Sequence, residues 1–160
     1  MTREELLTAL DGAGIRYELY EHPAVFTVEE IGRVNLPHPE DGAKNLFLRD
    51  DKKRNYYLLT ARDAVRVDLK AFQLTIGARK LSFASEEDLA ALLGLTRGSV
   101  TTFGAMNDTE HRVRVFLDDG FRDRMLWLHP LENTASVYLA ASDLIRFLED
   151  AGHPVEWVTL

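Results

Sequence analysis

A lone lysine stands among small residues in Gly42-Ala43-Lys44-Asn45-Leu46-Phe47-Leu48, where the polar loop 37–42 hands over to an apolar strand. The chain has five lysines against fourteen arginines, so a lysine here is less readily explained as generic surface charge. A compact ammonium at a strand entrance, with little side-chain bulk beside it, can hold a phosphate as a point charge or shift its pKa when desolvated. It can equally lie along the strand end with its head in water, as long basic side chains do. A second group is His129-Pro130-Leu131-Glu132-Asn133-Thr134-Ala135-Ser136, polar residues set between two apolar strands. Asn133 and Thr134 can each donate and accept hydrogen bonds, and His129 can do either as a neutral imidazole. The same residues can also do no more than satisfy the backbone of a turn.

Other chemistries find less support. The chain has no cysteine, hence no thiolate nucleophile, disulfide framework or cysteine-based zinc site. Five histidines (His22, His38, His111, His129, His153) lack HxH or HxxxH spacing, so no metal site is expected. His22-Pro23 and His38-Pro39 read as loop residues in extended segments. There is no G-x-S-x-G elbow, although a spatial Ser/His/Asp triad stays open. Gly98 and Gly104 bracket a turn-rich stretch with no following Gly-Lys-Ser/Thr, so it is not a Walker-type phosphate loop.

The elements that must position these residues follow from caps and periodicity. Thr2 caps a first helix through Leu10, with Leu6, Leu7 and Leu10 on one face and Gly12 and Gly14 beyond its end. Residues 15–20 form a strand, and Thr27-Val28-Glu29-Glu30 opens a short helix with a capping-box pattern. Residues 44–49 and 56–61 make a hairpin around the polar stretch 50–55. Asp68 starts a helix that Gly77 ends, residues 81–84 are a short strand, and Ser85 opens a helix ending near Gly94. Residues 96–104 read as a loop. Strands follow at 113–117, 125–129 and 134–140, then an amphipathic helix at 142–151 and a last strand at 155–158. Strand pairs joined by hairpin-length links favour a mixed α+β sheet over a doubly wound parallel one.

At 160 residues the chain fits one domain, 1–160, with nothing that reads as a linker or repeat. No apolar run approaches the roughly 20 residues that span a bilayer, and no signal-peptide core follows Met1, so a soluble cytoplasmic protein is the expectation. The net charge is −7, yet residues 44–80 carry ten basic and four acidic side chains. That excess suggests a basic face meeting a phosphate backbone, the alternative being a solvated surface of mixed ion pairs.

Four segments in order carry a resemblance. They are His22-Pro23-Ala24 with 27–30, Gly42–Phe47, Gly98-Ser99-Val100-Thr101-Thr102-Phe103-Gly104 and His129-Pro130-Leu131-Glu132-Asn133-Thr134. Together, over about residues 15–145, they closely resemble the YbaK/prolyl-tRNA synthetase-associated editing domain family, and within it the freestanding Ala-tRNA(Pro) deacylases. The resemblance implies a compact α+β domain around a mixed, partly barrel-like sheet. It implies an enzyme that hydrolyses alanine wrongly attached to the proline tRNA, with no cofactor. The partners implied are tRNA(Pro) charged with a small amino acid and, transiently, prolyl-tRNA synthetase. Lys44 corresponds to the family's critical lysine, which engages the terminal adenosine or its phosphate, and Asn45 lies beside it. Residues 98–104 match the family's substrate loop, usually Gly-x-x-x-Pro, so Gly98, Thr101, Thr102 and Gly104 are candidate substrate contacts. Thr102 stands where that loop carries proline. His129 matches a pocket histidine linked to the small size of the accepted aminoacyl group, with Asn133 and Thr134 shaping the pocket. Alternatives are a Cys-tRNA(Pro) deacylase of the same family, a non-catalytic member that binds tRNA or a protein, and a small-molecule-binding domain.

Overall fold

The computed structural model describes residues 1–160, the side chain of Val28 excepted. Five helices and eight strands run in the order α1 (Arg3–Gly12), β1 (Tyr17–Glu21), α2 (Val28–Arg33), β2 (Ala43–Asp50), β3 (Tyr56–Arg62), α3 (Leu69–Ile76), β4 (Leu81–Phe83), α4 (Glu86–Leu93), β5 (Val113–Asp118), β6 (Met125–Leu128), β7 (Ala135–Ala140), α5 (Ala141–Asp150) and β8 (Val155–Val158). The caps read from the sequence are in place. Thr2 and Glu5 form a reciprocal capping box on α1, Asp68 and Ser85 cap α3 and α4, and Gly77 and Gly94 end those helices in the left-handed conformation. Gly12 departs from expectation: it is the last residue of α1, which Ala13 closes. Residues 96–104 are not loop throughout, because a 3-10 turn begins at Thr102 and runs to Asn107.

The strands form two sheets, of order β4-β2-β3-β5-β8 and β1-β7-β6. The larger one is mixed: β2 is antiparallel to β3 and β4, while β3–β5 and β5–β8 are parallel. The smaller is antiparallel throughout. This is the expected α+β architecture, with two sheets where one mixed, partly barrel-like sheet was expected. One core joins the two sheets. Val115 and Leu117 from β5 meet Leu126 and Leu128 from β6, Val137 and Leu139 from β7, and Leu6, Leu10, Leu144 and Leu148 from α1 and α5. Smaller clusters pack α4 and α3 against the larger sheet. No described helix is long and apolar enough to cross a membrane.

One detail of the pairing matters for function. Strand β4 pairs only with Leu48–Asp50, so the first half of β2 has no neighbour on that side. The strand's beginning, residues 43–46, is therefore an open edge, and the main cavity lies against it.

Candidate active site

The cavity measures about 720 Å3, within the range of ordinary small-molecule sites of about 300–1,000 Å3. Its apolar wall includes Val25, Ile31, Leu36, Val100, Trp127 and Leu128, and its polar end holds Lys44, Asn45, Asp63, His129 and Ser136. The loop before β2 is fixed from the smaller sheet. Trp127 Nε1 donates to the Pro37 carbonyl at 2.9 Å, and the buried Asp41 carboxylate accepts from Tyr138 Oη and Arg124 Nη2. Lys44 thus starts its strand from a rigid entrance. Its Nζ, half-buried, donates to the Val65 carbonyl.

Asn45 is oriented from behind. Thr60, its cross-strand partner, places Oγ1 2.7 Å from Asn45 Oδ1, and Thr102 places Oγ1 3.1 Å from the same oxygen. A hydroxyl can donate to an amide oxygen, so the amide oxygen faces the threonines and Nδ2 is left to donate elsewhere. His129 is also held in one tautomer. Its Nδ1 lies 3.0 Å from the Ala135 carbonyl, so Nδ1 carries the hydrogen and Nε2 keeps a lone pair. Burial lowers the His129 pKa, outweighing the opposing hydrogen bond to Ala135, and the imidazole is neutral at physiological pH. His22 reaches the same wall: its Nε2 is 2.8 Å from Oγ of Ser136, and its ring centre is 6.2 Å from that of His129.

The nine residues singled out by sequence divide into three groups. Lys44, Asn45, Gly98 and His129 line the cavity. Thr102 and Asn133 act at one remove. Thr102 is fully buried behind Asn45, and Asn133 Nδ2 donates to the carbonyl of Val25, a wall residue, at 2.9 Å. Thr101, Gly104 and Thr134 are not among the residues that line the cavity. Thr101 is fully buried and caps the 3-10 turn by accepting from Phe103 N–H. Gly104 is a packing glycine, since a Cβ there would lie 2.8 Å from Leu95 Cδ1. The Thr134 side chain is exposed and bonds Glu132. Gly98 has a conformational reason to be glycine: φ is +89°, and a Cβ would meet the Phe26 ring at 2.7 Å.

The basic face also needs correcting. Arg49, Arg62 and Arg79 are paired with Asp88, Asp118 and Asp51. Lys52, Lys53 and Arg54 occupy the far end of the β2–β3 hairpin, about 20 Å from Lys44 at roughly 3.3 Å per strand residue. Arg66 directly follows Val65, the residue whose carbonyl holds Lys44. Sequence reasoning missed Asp63 and Ser136 as wall residues. Ser136 closed the polar segment 129–136 without being picked out, and nothing local marks Asp63; the β6–β7 hairpin and the β2–β3 register bring them in. As for metals, His38, Glu40 and Asp41 bring ligand atoms within 4.8 Å of one another, but both Asp41 oxygens are already engaged.

The sequence profile of the aminoacyl-tRNA editing domain matches residues 22–147, which include the whole cavity wall. The chain belongs to the aminoacyl-tRNA editing domain family. Among relatives of this editing domain, the chain is 38% identical over 159 residues to "Prolyl-tRNA editing protein ProX" of Acetoanaerobium sticklandii, covering 99% of this chain and 97% of that one. It is 35% identical to "Prolyl-tRNA synthetase associated domain-containing protein 1" of Mus musculus, covering 94% and 92%. A crystal structure of a candidate trans-editing enzyme for prolyl-tRNA synthetase superposes with a TM-score of 0.72 at 19% identity, over 99% of this chain and 96% of that one. That likeness establishes the editing-domain fold.

Proposed function

We propose that the protein hydrolyses the ester joining alanine to the proline tRNA, releasing alanine and free tRNA after a charging error. The observation that carries this reading is the cavity itself. It sets one ammonium, Lys44, and one oriented amide, Asn45, beside a neutral imidazole and an apolar wall. The relative named as a prolyl-tRNA editing protein supports the choice of tRNA. A proline synthetase cannot exclude alanine by size, because missing methylene-sized contacts are worth only about 1–3 kcal/mol, so a second and smaller sieve is needed. The partner is tRNA(Pro) carrying a small amino acid, met free or in transient contact with prolyl-tRNA synthetase.

No activated nucleophile is required of the protein. Lys44 holds the terminal nucleotide through its phosphate, and the Asn45 Nδ2 donates to the bound ribose or ester. Water attacks the ester carbonyl, assisted by the substrate's own ribose hydroxyl, while the protein supplies position and charge stabilisation. His129, uncharged, offers Nε2 as an acceptor at the pocket wall. The test is deacylation of proline tRNA charged with alanine, cysteine or proline. Turnover of the alanyl ester with the prolyl ester spared is expected. Preference for the cysteinyl ester would move the protein to its sister specificity, and tRNA binding without any turnover would overturn the enzymatic reading.

A further inference from the structure

Among the described wall residues, Lys44 and Asp63 are the one lysine and the one carboxylic acid. The reaction outlined above uses Lys44 and leaves Asp63 idle. Asp63 follows directly on β3, and its N–H donates to the Gly42 carbonyl at 3.0 Å. That bond lays the carboxylate against the Gly42 Cα: a Cβ on Gly42 would lie 2.0 Å from Asp63 Oδ2. Gly42 is thus the residue that makes room for the acid. Among the described residues, Asp63 Oδ1 is the one buried side-chain polar atom with no hydrogen-bond partner. Burial raises the Asp63 pKa against the opposing pull of the Lys44 ammonium, whose Nζ is given to Val65. A buried carboxylate oxygen without a donor is costly, and the Asp63 side chain borders the cavity, where a ligand's donor meets a carboxylate with unused acceptor capacity.

The substrate class proposed above supplies one. An aminoacyl ester on a tRNA end carries an anionic phosphate and, a few bonds away, a free α-ammonium. The cavity wall carries the complementary pair, a lysine at the start of β2 and an aspartate just past the end of β3. We propose that Asp63 receives the α-ammonium of the aminoacyl group. It then acts as a specificity residue that admits esters with a free amino group and rejects those whose nitrogen is acylated or absent. A direct consequence is that peptidyl-tRNA, whose nitrogen is an uncharged amide, is spared. The inference rests on the deacylase reading.

Two substrates of nearly the same size separate this role from an effect through Lys44: alanyl-tRNA(Pro) and lactyl-tRNA(Pro), in which a hydroxyl replaces the ammonium. The wild type should prefer the alanyl ester in kcat/KM by about 10- to 100-fold, the scale of a hydrogen bond to a charged group. Asp63→Asn should lose most of that factor on the alanyl ester and stay within about twofold of wild type on the lactyl ester, which also shows that the variant is folded. Equal loss on both esters would mean that Asp63 acts only on Lys44 or on the fold, and would overturn the assignment. So would a wild type indifferent to the ammonium. Absence of wild-type turnover on both esters overturns the deacylase reading itself, and this assignment with it.

Discussion

Thr102→Val removes one hydroxyl from the group that holds the Asn45 amide while leaving the shape of the side chain intact. Thr102 is fully buried, with Oγ1 2.5 Å from Thr60 Oγ1 and 3.1 Å from Asn45 Oδ1. Thr60 Oγ1 is itself 2.7 Å from Asn45 Oδ1. These three contacts share two hydroxyl protons, so at most two are hydrogen bonds at any moment. After the substitution Thr60 still donates to Asn45, and no buried group is stranded. The cost is therefore that of one hydrogen bond, about 1 kcal/mol, and not the 1–3 kcal/mol of an orphaned polar atom. In a chain of this size that corresponds to roughly 2–4 °C in Tm. With Asn45 held from one side only, the single-turnover rate on alanyl-tRNA(Pro) should fall about fivefold, the kinetic equivalent of the same energy. Thr102→Pro restores the residue usual in the family's loop and should also fold. Thr101 is extended at φ −152°, ψ 151°, as a residue before proline must be, and a missing N–H is tolerated at the first position of a helical turn. Thermal melts and single-turnover deacylation check both variants. A Thr102→Val protein with wild-type rate and wild-type Tm would refute the claim that this hydroxyl positions Asn45.

Gly104→Ala should destabilise by about 1–3 kcal/mol, because its methyl enters Leu95 in a filled core, while kcat/KM of the folded fraction stays at the wild-type value; urea melts beside rate measurements check this. Burial raises the Asp63 pKa, so its proton is bound more tightly in the folded state, and the cost to folding grows as pH rises from the unfolded-chain value to the raised one and is complete above it. In Asp63→Asn the Tm difference from wild type should accordingly shift in the variant's favour between about pH 4 and pH 8; a shift towards the wild type contradicts the burial argument. Lys44 lines the cavity and Arg66 follows the residue that holds it; with these two as the phosphate contacts, the logarithm of tRNA affinity should fall with the logarithm of salt at a slope of about −1 to −2. A slope near −6 would bring the far hairpin end into contact.

Elements whose signals are local were legible in the sequence. The caps at Thr2, Asp68 and Ser85 and the stops at Gly77 and Gly94 each rest on one residue satisfying nearby backbone groups. The parallel partners β3, β5 and β8 were not, because the crossovers between them leave no short-range trace. The site followed the same rule. Lys44 stood out because small neighbours mark the start of β2, and Asn45 came with it through the family resemblance. The exposure of Thr134 was not legible, because a hydroxyl near a candidate histidine looks the same in sequence whether it faces the cavity or solvent. Nor was the packing of Gly104 against Leu95, because a packing glycine and a substrate-loop glycine are one letter. Asp63 went unseen because its place beside Gly42 is set by the loop after β3, bonded back to the residue before β2.

The central claim is that the ammonium at the start of β2 holds the end of an alanyl-tRNA for hydrolysis. The most direct measurement is single-turnover deacylation of alanyl-tRNA(Pro) by the wild type and by Lys44→Ala, with thermal melts showing both to be folded. The account predicts rapid release of alanine by the wild type and a rate close to uncatalysed hydrolysis for the variant. A folded Lys44→Ala protein that deacylates at near-normal rate would contradict it.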